Sequence, residues 1–213
     1  MMRWLLLVLL LVLCAGTVSA GESKILIDDF ESGLNPAWTV KKFQGETEYR
    51  IVAEGDGHCL QARSNNSASG LVREMKYALK DYPVLSWRWK VDNVLVRGDA
   101  RTREGDDYAA RVYVVFPHWF PPKTRSINYI WANRLPRGSH IPNPFFSNAV
   151  MVAVESGAER TGAWVDERRN VLEDYRAIFG EEPPSVGAVA IMTDTDNTGE
   201  SALACYDDIV ISR

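Results

Sequence analysis

The sequence predicts a mostly β fold, a jelly-roll β-sandwich with one helix near 163–179. Three observations carry this. Short runs with strand chemistry recur between Gly, Pro and Asn punctuation. About ten such runs at close spacing favour a sandwich over alternating strand–helix units. One stretch alone carries helical spacing.

The runs follow in order. ILIDDF (25–30) and WTVKKF (38–43) come first, then TEYRIVA (47–53), which alternates polar and apolar residues. HCLQAR (58–63) follows the turn-forming EGDG, and LVREMKYAL (71–79) and VLSWRWKVD (84–92) come next. RVYVVF (111–116), INYIWAN (127–133) and AVMVAVES (149–156) are the most apolar and so the most central. VGAVAIMT (186–193) and ALACYDDIVIS (202–212) close the chain. In AWVDERRNVLEDYRAIFG (163–180), Trp164, Arg168, Val171 or Leu172, Tyr175 and Ile178 or Phe179 recur at helical spacing, with Gly180 as the stop. Three loops interrupt the pattern: the polar 93–109 stretch, the Pro- and aromatic-rich 117–125 stretch, and 134–148 with three prolines. Long loops on a rigid scaffold commonly carry function.

The first twenty residues read as a cleavable signal peptide. Arg3 is followed by an apolar run from Leu5 to Ala15, and Val18, Ser19 and Ala20 supply the small residues of a cleavage site. The run is short for a membrane span; an uncleaved anchor is the alternative. A lipid on Cys14 is disfavoured, because Leu13 stands where a small residue is needed. The expected organisation is residues 1–20 as leader and 21–213 as one sandwich domain, exported to the periplasm or the medium. The net charge of −4, with no basic block, argues against nucleic acid as partner. No later apolar stretch reaches spanning length. Without the leader two cysteines remain, Cys59 and Cys205, and an even pair in an oxidising compartment is expected to bond.

Strand alternation supplies the candidate binding residues. In VLSWRWKVD, Trp87 and Trp89 share one face and Arg88 and Lys90 the other. In RVYVVF, Val112, Val114 and Phe116 form an apolar face opposite Arg111 and Tyr113. If these strands are neighbours, Arg88, Arg111, Tyr113 and Trp131 make one outward patch suited to sugars or anionic groups. The competing reading is an Arg–Glu ladder that stabilises the sheet, through Glu155.

The segments LSWRWKVD, RVYVVF, NYIWANRLPRG, NPFFSNAVMVAVESG, ERRNVLEDYRAIFG and IMTDTDNTGES resemble the domain-of-unknown-function 3047 family, from about Leu26 to Ile211. The resemblance implies an exported protein and imports no catalytic residue. A looser resemblance, at the chain ends, is to galactose-binding-like jelly-roll carbohydrate-binding modules. It rests on Asp28-Asp29-Phe30-Glu31, Trp38, Gly57 and Tyr206-Asp207-Asp208-Ile209. It implies that the terminal strands pair, often beside a structural calcium; Asp28, Glu31 and Asp208 are its candidate ligands if they do, and solvated strand ends are the alternative. Asp194-Thr195-Asp196-Asn197-Thr198-Gly199, with Glu200, offers a second calcium set. Cys205 stands at the twelfth position where an EF-hand needs Glu, so an ordinary Asp/Asn turn is the alternative there.

Catalysis has weaker support. There is no G-x-S-x-G, and no His or Cys pair at zinc spacing. The best enzyme reading pairs the carboxylates of Asp106, Asp107 and Glu155 in a cell-envelope polysaccharide hydrolase. The preferred expectation is a non-catalytic, exported domain binding carbohydrate or cell-envelope glycan. A structural envelope protein without a small ligand is the third reading.

Overall fold

Alternating apolar residues build thirteen strands in two facing sheets, in a computed structural model that describes residues 23–213. The expected leader, 1–20, lies outside the described residues. One sheet holds β1 (Lys24–Asp28), β3 (Glu48–Glu54), β4 (Gly57–Asn65), β6 (Val84–Val91), β11 (Val165–Asn170) and β13 (Ser201–Ser212). Its order is β11-β6-β13-β4-β3, with β1 paired to β13. The other holds β2 (Trp38–Gln44), β5 (Ala68–Tyr77), β7 (Tyr108–Phe116), β8 (Arg125–Ala132), β9 (His140–Pro142), β10 (Ala149–Ser156) and β12 (Val186–Asp194), in the order β2-β5-β12-β7-β8-β10-β9. The result is a jelly-roll sandwich whose terminal strands, β1 and β13, pair antiparallel.

The core is aromatic where the sheets face each other. Trp87 and Trp89 turn inward from β6 as their alternation requires, and both are fully buried. Across the sandwich Trp87 meets Tyr129 at 5.3 Å between ring centroids, and Trp89 meets Trp131 at 6.0 Å. Tilted aromatic pairs of this kind contribute about 0.5–1.5 kcal/mol each beyond the area they bury. A smaller apolar cluster lies on the outer face of the seven-stranded sheet. Tyr108, Ile130 and Met151 form it, and Ala100 and Leu135 of the long loops cover it.

Three sequence expectations are corrected. Strand β6 is not a neighbour of β7 and β8; it lies in the opposite sheet, between β11 and β13. Trp131 is not outward: it is fully buried, and its indole N–H donates to Gly157 O at 3.0 Å. The helix, α1, covers only Val171–Phe179. The preceding residues form β11, which pairs with β6 and turns Val165 and Glu167 inward and Asp166 and Arg168 outward. An unpaired β6 edge competes with helix formation there, and the strand wins up to Asn170. Asn170 then caps the helix by accepting from Glu173 N at 3.2 Å. Gly180 ends it at φ +70°. Among the described residues no helix is long and apolar enough to cross a membrane.

Candidate ligand-binding pocket

Strand alternation puts Arg88 and Lys90 on the outer face of the six-stranded sheet, where the chain on either side folds over them. The β3–β4 turn, Glu54-Gly55-Asp56-Gly57, reaches in from one side and the residue before β11, Trp164, from another. The register of β13 against β6 slips between Asp207 and Val210, and Asp208 sits at φ +48°. This backbone is costly for a residue other than glycine. It sets two successive acids, Asp207 and Asp208, on the same open cavity of about 430 Å³. Glu31 enters from the β1–β2 loop. A Cβ at Gly57 would collide with the Glu31 carboxylate, so the glycine is what lets Glu31 seat.

The polar contacts are specific. The Arg88 guanidinium lies 4.4 Å from the Trp164 ring centroid, within cation–π range, and 3.7 Å from Asp208. Its Nε is buried and has no partner among the described residues. Lys90 pairs with Glu54, and the Trp164 indole N–H donates to Glu54 Oε1 at 3.1 Å. These two contacts hold the Glu54 carboxyl below its usual range. The His58 backbone N–H donates to Glu31 at 2.8 Å and its ring Nδ1 lies 3.1 Å away, which lowers Glu31. Burial pushes Asp207 up to about 6, against the Asp208 N–H that donates to it at 2.8 Å and against Arg88, while the Asp208 charge adds to the rise. The pocket thus pairs an acid that holds its proton with one that readily gives it up, beside an indole and a guanidinium.

Three residues singled out in the sequence meet here: Arg88, Glu31 and Asp208. Asp207, His58 and Trp164 were missed as site residues. The β6–β13 register places Asp207 directly opposite Arg88, which the sequence alone does not give. Trp164 was assigned to the helix. The other expected residues lie elsewhere. Arg111 and Tyr113 share the outer face of the seven-stranded sheet, so the four-residue patch does not form. Arg111 is buried against Asp194. This is the ion-pair reading of an outward arginine, with Asp194 rather than Glu155 as partner.

The terminal acids do not converge as a calcium set. Asp28 is buried and accepts from Phe30 N and Trp38 Nε1, at 3.0 and 2.7 Å, while Glu31 is held by His58 and Asp208 faces Arg88. Glu200 also leaves its expected set, since it accepts from Val96 N and Arg97 N at 3.0 and 2.8 Å. Asp194 and Asp196 stay together, and Asp107 joins them, with carboxylate oxygens all within 4.8 Å of one another. Asp106 turns away from Asp107 and accepts from Tyr108 and Asn143. Glu155 accepts from Arg160 at 2.7 Å and lies 3.4 Å from Arg137. The acids of the hydrolase reading are therefore each engaged by separate partners. Cys59 and Cys205 are buried free thiols on adjacent strands.

Solved structures with a similar outline include the family 11 carbohydrate-binding module of the cellulosomal cellulase Lic26A-Cel5E of Clostridium thermocellum. It is 12% identical, with 89% of this chain and 94% of that chain covered and a TM-score of 0.47. The K3 cleaved adhesin domain of Lys-gingipain from Porphyromonas gingivalis is 15% identical, covering 90% and 100%, with a TM-score of 0.45. CBM29_1, a family 29 carbohydrate-binding module from Piromyces equi, is 7% identical, covering 90% and 91%, with a TM-score of 0.45. No curated protein matches the chain. A family model does, over residues 36–210: the chain belongs to the family described as protein of unknown function, DUF3047.

Proposed function

We propose that the chain is an exported, non-catalytic carbohydrate-binding domain whose ligand enters the Arg88–Trp164 pocket. The observation that carries the reading is the Arg88 side chain. It is stacked on Trp164, with a buried Nε that has no partner among the described residues, on a cavity rimmed by carboxylates. The Arg88 side chain is 33% exposed on the cavity, so its guanidinium can donate to a ligand oxygen there. Arg88 donates, and Asp207, Asp208 and Glu31 accept, which matches the alternating acceptors and donors of a polyhydroxylated ligand. Five acids on the cavity, Glu31, Glu54, Asp56, Asp207 and Asp208, against one arginine disfavour a strongly anionic ligand. The volume lies within the ordinary range of small-ligand sites. Export rests on the leader reading of residues 1–20, and a mature N-terminus at Gly21 is its expected signature.

The test is a glycan array probed with the purified protein and its Arg88→Ala and Trp164→Ala variants. Selective glycan binding that both variants lose, at unchanged melting temperature, supports the reading. No binding to any glycan by the wild type overturns it.

One observation favours a hydrolase as the second reading: Asp207 holds its proton to about pH 6 beside the readily ionised Glu31. Carboxyls pushed apart in this way suit general acid and base roles. Polysaccharide turnover lost in Asp207→Asn, with binding retained, would move the assignment there.

A further inference from the structure

The structure points to a second surface, and we propose that two aromatic loops at one end of the sandwich seat on an anionic lipid membrane. The 117–124 loop leaves β7 and returns as β8, with Phe116 paired to Arg125. Strand β10 starts at the same end, with Ala149 beside Ser126 in parallel register, so the 143–148 loop emerges next to it. The two loops are tied together, since Asn148 Nδ2 donates to Pro122 O at 2.8 Å.

Their tips carry large aromatics in water. Trp119 is 88% exposed, Phe145 53%, Phe120 46% and Phe146 42%. Internal bonds hold them outward. His118 N donates to Thr124 Oγ1 at 3.2 Å, Phe120 N to His118 Nδ1 at 3.0 Å, and Phe145 N to Asn143 Oδ1 at 2.9 Å. Rigid turns that keep four aromatic rings from collapsing onto the core are expensive without a partner, and contiguous exposed apolar surface marks a contact site.

Charge selects the occupant. Arg103 lies 5.2 Å over the Phe145 ring, and Lys123 follows Phe120 within the loop. Behind the tips lies a cavity of about 660 Å³ lined by Lys123, Arg125 and His118, together with Glu181 and Glu182. Glu181 pairs with Arg125 and Glu182 with Arg176, so these charges cancel and Lys123 and Arg103 carry the positive charge of the tip. A cationic, aromatic tip on a chain of net charge −4 is complementary to anionic headgroups over an apolar layer. The rings do not form one flat platform of the kind a sugar chain stacks on: Trp119 and Phe120 are inclined at 45°. A lipid interface takes rings in any orientation.

The experiment is flotation of the purified protein with vesicles of phosphatidylcholine alone and with about a third phosphatidylglycerol. The wild type is compared with Trp119→Ala/Phe120→Ala and with Lys123→Glu; these positions are exposed, and unchanged melting confirms folding. Wild-type binding on the order of tenfold tighter to anionic vesicles, weakened by salt and lost in both variants, is expected. Equal binding to neutral vesicles, or variants that float like the wild type, overturns the proposal. Loss in the aromatic variant of binding to a glycan, with no vesicle binding by the wild type, reassigns the loops to carbohydrate. None of these outcomes depends on Arg88 or Trp164, so this surface and the pocket stand or fall separately.

Discussion

Arg111 and Asp194 form a two-pronged ion pair buried on the outer face of the seven-stranded sheet. Arg111 Nε donates to Asp194 Oδ1 at 2.8 Å while Nη2 reaches Oδ2, and both residues are almost wholly buried. Tyr108 stacks on the guanidinium at 4.5 Å. Removing one partner strands the other without water. Arg111→Met is therefore expected to cost about 3–5 kcal/mol in denaturant unfolding. A loss below about 1 kcal/mol, the level of an exposed pair, would contradict the buried role.

Stability is expected to fall as pH rises through the acid-to-neutral range, because of Glu167. It is 7% exposed and its Oε1 has no partner among the described residues. Burial, and then the Glu155 charge, push it up to about 7, against the pull of Arg137, Arg160 and Arg169. A carboxyl raised in the folded state binds its proton more tightly there than in the unfolded chain. Its stabilisation is full below about pH 4.5 and is lost by about pH 7, by about 2–3 kcal/mol. Glu167→Gln should flatten that part of the profile and melt higher than wild type at pH 8. A variant whose pH profile overlays the wild type rules this account out.

The two thiols are placed to close into a cross-strand disulfide. Cys205 lies opposite Gln61, two residues from Cys59 on the adjacent strand. The proximity of the two thiols raises Cys59, with burial adding to the rise, and lowers Cys205 against the effect of burial. In an oxidising compartment the bond should form and, closing a very long loop, add up to about 5 kcal/mol. Thiol counting on the denatured, unreduced protein decides it: no free thiols are expected, and two would refute the bond.

Calcium is expected at Asp107 and Asp196, beside Asp194, whose carboxylate is already neutralised by Arg111, rather than at the chain ends. The donor set is all oxygen, and burial together with the Asp107 charge pushes the Asp196 carboxyl up, a repulsion that a bound cation relieves. Melting should rise with calcium relative to chelator, and Asp196→Asn should abolish the difference. Coincident wild-type curves with calcium and with chelator would contradict the site.

Much of the sandwich was legible because alternation is local. The inward Trp87 and Trp89, and the outward Arg88 and Lys90, followed from β6 alone. Alternation gives a face but not a neighbour, so it joined Arg88 to Arg111 and Tyr113, which lie in the other sheet. β9 is too short and proline-bounded to signal a strand. β11 was hidden because its residues also fit a helical period, and Trp164 was lost with it. The bulge that turns Asp207 and Asp208 to one cavity has no sequence signature of its own. Neither does the approach of Asp107 to Asp194 and Asp196, which joins segments far apart in the chain.

The central claim is that the Arg88–Trp164 pocket binds a glycan. The direct measurement is calorimetric titration of the best array glycan into wild type, Trp164→Ala and Arg88→Ala, each with its melting curve. The account predicts at least about a tenfold loss of affinity in both variants. The melting free energy should change by about 1 kcal/mol or less, because the cation–π contact is partly exposed. Wild-type affinity in Arg88→Ala, or lost binding only where the protein has also unfolded, would contradict it.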